Sequence, residues 1–267
     1  MATTPNNDKP HIILIHGAWH TPTTFTSLTA RLKSYGYRVS TPFLPSVNSS
    51  VPVPDITADV TVLRNTIAHV LDALGKNVVL VPHSYGAIPT SDACEGFSTE
   101  ARRKQGKNTS VTHIVYLAAF NLVEGQTLLD ARLGIEASFL DFASKPGWLV
   151  ADPEGAMQAF YNTMPVDEAE KHVAALRPQS PGTFVTPEKY AAWRDVPSTV
   201  VMAEEDQATL PVMQERMIER MRENGWAGQV VRVRGQHCLH LSHEEVVVGV
   251  VRRATGEVVN DGEDGPV

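Results

Sequence analysis

The chain has 267 residues, a net charge of −7 and an apolar fraction of 42%, which suits one large domain, or a domain with an inserted cap, around a sizeable core. Its longest basic cluster, Ala101-Arg102-Arg103-Lys104, runs into polar Gln105 to Ser110 and is expected to solvate a loop, which argues against nucleic acid and anionic membrane as partners. No stretch has the apolar length of a signal peptide or a bilayer span, so a cytoplasmic location is expected; Cys94 and Cys238 are expected as free thiols, and neither they nor any other cluster implies a metal.

In chain order, polar Met1 to Lys9 is expected to fray. His11 to Ile15 reads as a buried strand ended by His16-Gly17. Thr24 to Tyr35 carries Phe25, Leu28 and Leu32 at helical spacing, with Gly36 as its stop. Tyr37 to Phe43 reads as a strand. The loop from Ser46 to Pro54 leads to Asp55, placed to cap a helix whose stripe is Ile56, Val60, Leu63, Ile67, Val70, Leu71 and Leu74. Val78 to Val81 and His113 to Ala118 follow as further strands. From Asn121 to Val196 no strand is expected, only short helical pieces. Strands return at Ser198–Ala203 and Gln229–Arg234, and helices at Pro211, with Met213, Met217 and Met221 on one side as core packing, and at Glu244–Ala254. Alternating strands and helices predict a mostly parallel sheet flanked by helices. The expected division is a core over 10–120 and 197–256, a helical cap insertion over 121–196, and flexible tails over 1–9 and 257–267.

The stretch that carries chemistry is Asn77 to Ala87, Asn-Val-Val-Leu-Val-Pro-His-Ser-Tyr-Gly-Ala. A buried strand delivers Ser84 into a tight turn that opens a helix, holding the hydroxyl clear of the backbone. That is the geometry of the nucleophile elbow G-x-S-x-G, with Pro82 replacing the first glycine. A serine hydroxyl needs an imidazole to take its proton, and the imidazole needs a carboxylate behind it. In α/β-hydrolases those groups follow later strands in the order acid, then histidine. Glu204-Glu205-Asp206 follows one such strand and Gly235-Gln236-His237 the next.

The chain resembles the plant methylesterase and hydroxynitrile lyase branch of the α/β-hydrolase superfamily, with its bacterial and fungal esterase-like relatives. The matching pieces are His16-Gly-Ala-Trp-His20, His83-Ser-Tyr-Gly86, Leu117-Ala-Ala-Phe120, Leu176-Arg-Pro-Gln-Ser180, Trp193-Arg-Asp-Val-Pro-Ser198 and His237-Cys-Leu-His-Leu-Ser242. The resemblance implies an α/β-hydrolase fold and the triad Ser84, Asp206 and His237. Asp206 is favoured over Glu204 and Glu205 because Gln214 keeps the branch's eight-residue spacing. It implies an oxyanion hole from the N–H groups of Ala18 and Tyr85, no cofactor, and compatibility with a homodimer. His16, His20 and His83 read as structural, and Trp19, Phe139, Trp148, Phe160 and Met164 as apolar pocket candidates.

The expected activity is hydrolysis of a small, partly apolar ester or lactone through an acyl-enzyme. Two alternatives stand beside it: C–C lyase or isomerase chemistry with the same triad, and a small-molecule receptor on the same scaffold. Against the lyase, that branch's lyases carry a threonine where this chain has Gly17, and a lysine near Cys238-Leu239.

Overall fold

The structure is a computed structural model that describes residues 9–141 and 143–259. Six parallel strands, β1 (His11–Ile15), β2 (Arg38–Ser40), β3 (Val78–Pro82), β4 (Val111–Leu117), β7 (Ser198–Ala203) and β8 (Gln229–Val233), form one sheet in the order β2-β1-β3-β4-β7-β8. The near-continuous apolar runs of β1 and β3 follow from burial on both faces. On one face, Ile12 and Leu14 join Phe25, Leu28 and Leu32 at α1 (Thr26–Ser34) and Val247 and Val251 of α10 (Glu244–Ala254). On the other, Ile13, Ile15 and Leu80 meet Leu63 and Ile67 of α2 (Thr57–Ala68) and Ile88 of α3 (Ala87–Cys94). Met217 and Met221 of α8 (Pro211–Glu223) pack into the same cluster, and Met213 is also buried. Helices on both faces of a parallel sheet are the architecture expected from the sequence.

Several elements depart from the sequence reading. The strand expected over Tyr37 to Phe43 pairs only as Arg38–Ser40. Asp55 lies one residue outside the cap position, which Ile56 holds, yet its Oδ1 still accepts from Thr57 N at 2.7 Å. After Ala68 the helix widens into a π-turn, His69–Ala73, with Leu74 N donating to His69 O; the extra residue per turn carries Leu74 off the buried stripe, leaving it exposed. The basic run forms helix α4 (Thr99–Lys104) in place of a loop, and Arg102 is buried, donating to Asp72 Oδ1 at 2.7 Å and Thr109 O at 2.8 Å.

Between β4 and β7 the chain forms α5 (Leu128–Ala131), α6 (Pro153–Phe160) and α7 (Val166–Ala175). It also forms an antiparallel pair, β5 (Leu140–Asp141) with β6 (Val150–Ala151), where no strand was expected. Two-residue strands are too short to leave an alternating pattern in sequence. The expected flexible tails fall largely on residues 1–8 and 260–267, outside the described residues. Lys9 forms an ion pair with Glu257, which also accepts from Arg252 Nε, so these two positions are tied to the body.

Candidate active site

Strand order reverses between β1 and β3: β2 lies to one side of β1, and β3, β4, β7 and β8 lie to the other. In open parallel sheets the crevice beyond such a switch point is where ligands bind. The loop after β1 and the turn after β3 flank it here. Ser84 sits in that turn with φ +53°, a left-handed conformation that a non-glycine residue adopts only when its surroundings enforce it. What enforces it is close packing: a Cβ on Gly86 would lie 2.5 Å from the carbonyl oxygen of His16, so only glycine lets the turn seat against β1. Pro82 is accommodated inside β3. His83 N donates to Ile15 O at 2.9 Å, so the donor missing from the preceding residue would face β4, and the continuous β3–β4 register ends at Leu80 with Ile114.

His237 follows β8, and its Nδ1–H donates to Asp206 Oδ2 at 2.7 Å, with both side chains buried. Asp206 follows β7. Its Oδ1 accepts from the N–H groups of Ala208 and Thr209, each at 2.8 Å, and its Oδ2 also accepts from Gln214 Nε2 at 3.2 Å. Gln214, on α8, further donates to Thr209 O and Ala203 O and accepts from Ala203 N. One amide therefore braces both ends of the acid's loop, a physical use for the eight-residue spacing. Glu204 and Glu205 instead face Arg232 and Arg234 at the surface.

The loop after β1 is held by histidines. Leu44 N donates to His16 Nε2 at 3.1 Å, which places the ring proton on Nδ1, where it donates to Gly17 O at 2.9 Å. His20 Nδ1–H donates to Ala18 O at 2.8 Å, and its Nε2 accepts from Tyr161 Oη at 2.8 Å. Burial lowers the pKa of His16 to about 4 and of His20 to about 3, so both rings are neutral at pH 7. His83 packs edge-on and tilted between His237 and His240, and its Nε2 donates to His237 O at 3.2 Å. His240 shares a hydrogen bond with Thr24 Oγ1. Gly17 matters through proximity: a Cβ there would lie 3.0 Å from Ser84 Cβ and from His83 Nδ1.

Ser84, Tyr85, Ala18 and His237 all line one cavity of about 490 Å³. Trp19, Phe139, Phe160 and Phe184 supply aromatic wall, with Trp19 contacting the other three rings and donating Nε1–H to Leu149 O. Phe139 and Phe160 fall where the sequence placed them, whereas Trp148 and Met164 pack outside the lining. Sequence reading missed Phe120, Leu128, Arg132 and Phe184 in the wall. It also missed Asp59, whose Oδ2 accepts from Tyr85 Oη at 2.6 Å and whose Oδ1 accepts from Ser46 N. A buried acid within a helical stripe is the only signal that could have exposed Asp59.

A profile of the Alpha/beta hydrolase family matches residues 12–250. The chain is 32% identical over 254 residues to alpha/beta hydrolase nvfD of Aspergillus novofumigatus, covering 94% of this chain and 98% of that protein. Among solved structures it resembles a methylesterase from Arabidopsis (TM-score 0.67, 21% identity, 92% of this chain and 99% of that one). It also resembles polyneuridine aldehyde esterase (TM-score 0.72, 15% identity, 92% and 98%).

Proposed function

Because the chain belongs to the alpha/beta hydrolase family, we propose that it hydrolyses a small, partly apolar carboxylic ester or lactone, with Ser84 as nucleophile, His237 as base and Asp206 as its orienting acid. The observation that carries this reading is the buried 2.7 Å contact between His237 Nδ1 and Asp206 Oδ2, in a chain whose His237 and left-handed Ser84 line the same cavity. With Nδ1–H committed to Asp206, Nε2 is the nitrogen left to accept the Ser84 proton. Ser84 Oγ then bonds to the ester carbonyl carbon, and charge moves to the carbonyl oxygen. The N–H groups of Ala18 and Tyr85 stabilise that charge. The imidazolium returns its proton to the leaving alcohol, and water repeats the sequence on the acyl-enzyme. The names of the structural neighbours, a methylesterase and polyneuridine aldehyde esterase, agree with this class.

Gly17 favours ester hydrolysis over C–C lysis. A side chain at this position would press on Ser84 Cβ, and glycine contributes no hydroxyl to hold a cyanohydrin oxygen. The test is turnover of small aryl esters and of mandelonitrile. Ester hydrolysis that disappears in Ser84→Ala, without cyanide release above background, supports the reading. Cyanide release dependent on Ser84 and His237, with no ester turnover, overturns it.

A further inference from the structure

The cavity beside Ser84 has a largely apolar wall with two charged side chains on it, Arg132 and Glu136, of which only Arg132 is withdrawn from solvent. Arg132, immediately after α5, is partly buried there. Its Nε donates to Ile135 O at 3.0 Å and its Nη1 to Ala208 O at 3.3 Å. Those carbonyls hold two of the guanidinium's N–H groups but bring no formal charge. Among the described residues no carboxylate lies within ion-pair distance of Arg132. Desolvation lowers its pKa and no acid offsets that, though a guanidinium starts high enough to stay charged. Glu136 also borders the cavity, but it is exposed, so solvent and salt screen its charge.

A cation withdrawn from water without a counter-ion is costly to keep. A residue serving only as a strut between two carbonyls would not need that charge. Two of the five guanidinium N–H groups are spent, leaving both on Nη2 and one on Nη1 to bind a carboxylate. Ser84 lines the same cavity, and the wall around both is aromatic and aliphatic: Trp19, Phe139, Leu128, Phe160. We propose that Arg132 is a carboxylate-binding subsite, and that the substrate is an ester with an apolar body ending in a carboxylate, held at Arg132 while its ester carbonyl meets Ser84. This rests on the serine-hydrolase reading and adds the anionic end.

The experiment compares para-nitrophenyl hexanoate with the mono-para-nitrophenyl half-esters of succinic, adipic and suberic acids, in wild type, Arg132→Gln and Arg132→Lys. Wild type should prefer a half-ester of one chain length, chiefly through KM. In Arg132→Gln the ratio of kcat/KM for that half-ester to kcat/KM for the neutral ester should fall about 30-fold, the size of a lost charge-assisted hydrogen bond, and Arg132→Lys should recover part of it. Neutral-ester turnover with no half-ester preference, or a preference that survives in Arg132→Gln, would make Arg132 a strut and overturn the proposal while leaving the esterase intact. Binding of monomethyl adipate against methyl hexanoate to Ser84→Ala reads the subsite even if no ester is turned over. Preference for the anion that is lost with Arg132 supports the subsite, and equal binding rejects it.

Discussion

His16 holds the carbonyl oxygen of Gly17 at 2.9 Å through Nδ1–H. That carbonyl belongs to the same planar peptide as the N–H of Ala18, and in a trans peptide the two point in opposite directions. Anchoring the oxygen therefore aims the N–H. The anchor depends on the tautomer, which Leu44 N fixes by donating to Nε2, and the ring's low pKa keeps it neutral. His16→Leu should lower kcat for aryl esters by about 10- to 100-fold with little change in KM, somewhat less than deletion of a whole oxyanion donor. Steady-state kinetics on protein shown to be folded by its thermal transition checks this. An unchanged kcat would mean that the loop holds its peptide without the imidazole.

Asp206→Asn should cost a factor of roughly 10⁴ in kcat, because an amide no longer selects the tautomer with Nδ1 protonated. Glu204→Gln and Glu205→Gln should stay within about twofold of wild type, since their contacts are surface ion pairs. Gln214→Leu should lower both activity and stability, because it strands the Ala203 and Thr209 carbonyl oxygens and leaves Asp206 Oδ2 with His237 alone. Kinetics and thermal melts on the four variants separate these outcomes. Equal losses at positions 204, 205 and 206 would show that loop stability had been measured.

Gly17→Ala should reduce ester turnover by about tenfold or more, since its Cβ would stand 3.0 Å from both Ser84 Cβ and His83 Nδ1, closer than packed side chains normally approach. Fluorescence-monitored ester hydrolysis reads the loss. Full activity in this variant would show that the elbow yields to a methyl group and would remove the steric case against a threonine-bearing lyase site.

Sequence periodicity carried most of the sheet, because strands buried on both faces write long apolar runs; Ser198–Ala203 and Glu244–Ala254 coincide with the observed β7 and α10. The positions read as nucleophile, acid and base were legible for a different reason. Each follows a strand at the same end of the sheet, so chain order alone orders Ser84, Asp206 and His237. The cavity wall was not legible. Arg132, Leu128 and Phe184 come from segments with no regular pattern, and their approach to Ser84 depends on how the segment between β4 and β7 folds back. Asp59 was hidden for the opposite reason: it interrupts a strong helical stripe and looks like solvent-facing polarity, although its carboxylate is buried against Tyr85.

Acid should destabilise this fold through its buried histidines. The pKa values of His11, His16, His20, His83, His113, His172 and His240 are all lowered, with burial as the leading cause. A histidine whose folded pKa lies below its unfolded value of about 6.5 contributes stability that is fully present above that value and is lost as pH falls toward the folded one. For His11 and His16 the window runs from 6.5 to about 4. Burial raises the carboxyl pKa of Asp59, Asp92 and Glu188, which acts in the opposite sense, but these are three groups against seven. Tm should therefore fall steadily from pH 7 to pH 5, with net proton uptake on unfolding. A flat Tm over that range, or proton release, would refute the sign.

The most direct measurement is the intact mass and peptide map of the protein after reaction with a fluorophosphonate. An activated serine displaces fluoride and keeps the phosphonyl group, whereas an ordinary surface serine does not react. One adduct is expected per chain, on the peptide containing Ser84, absent in Ser84→Ala and strongly slowed in His237→Ala. No adduct on folded wild-type protein, or an adduct that persists in Ser84→Ala, would contradict Ser84 as the nucleophile.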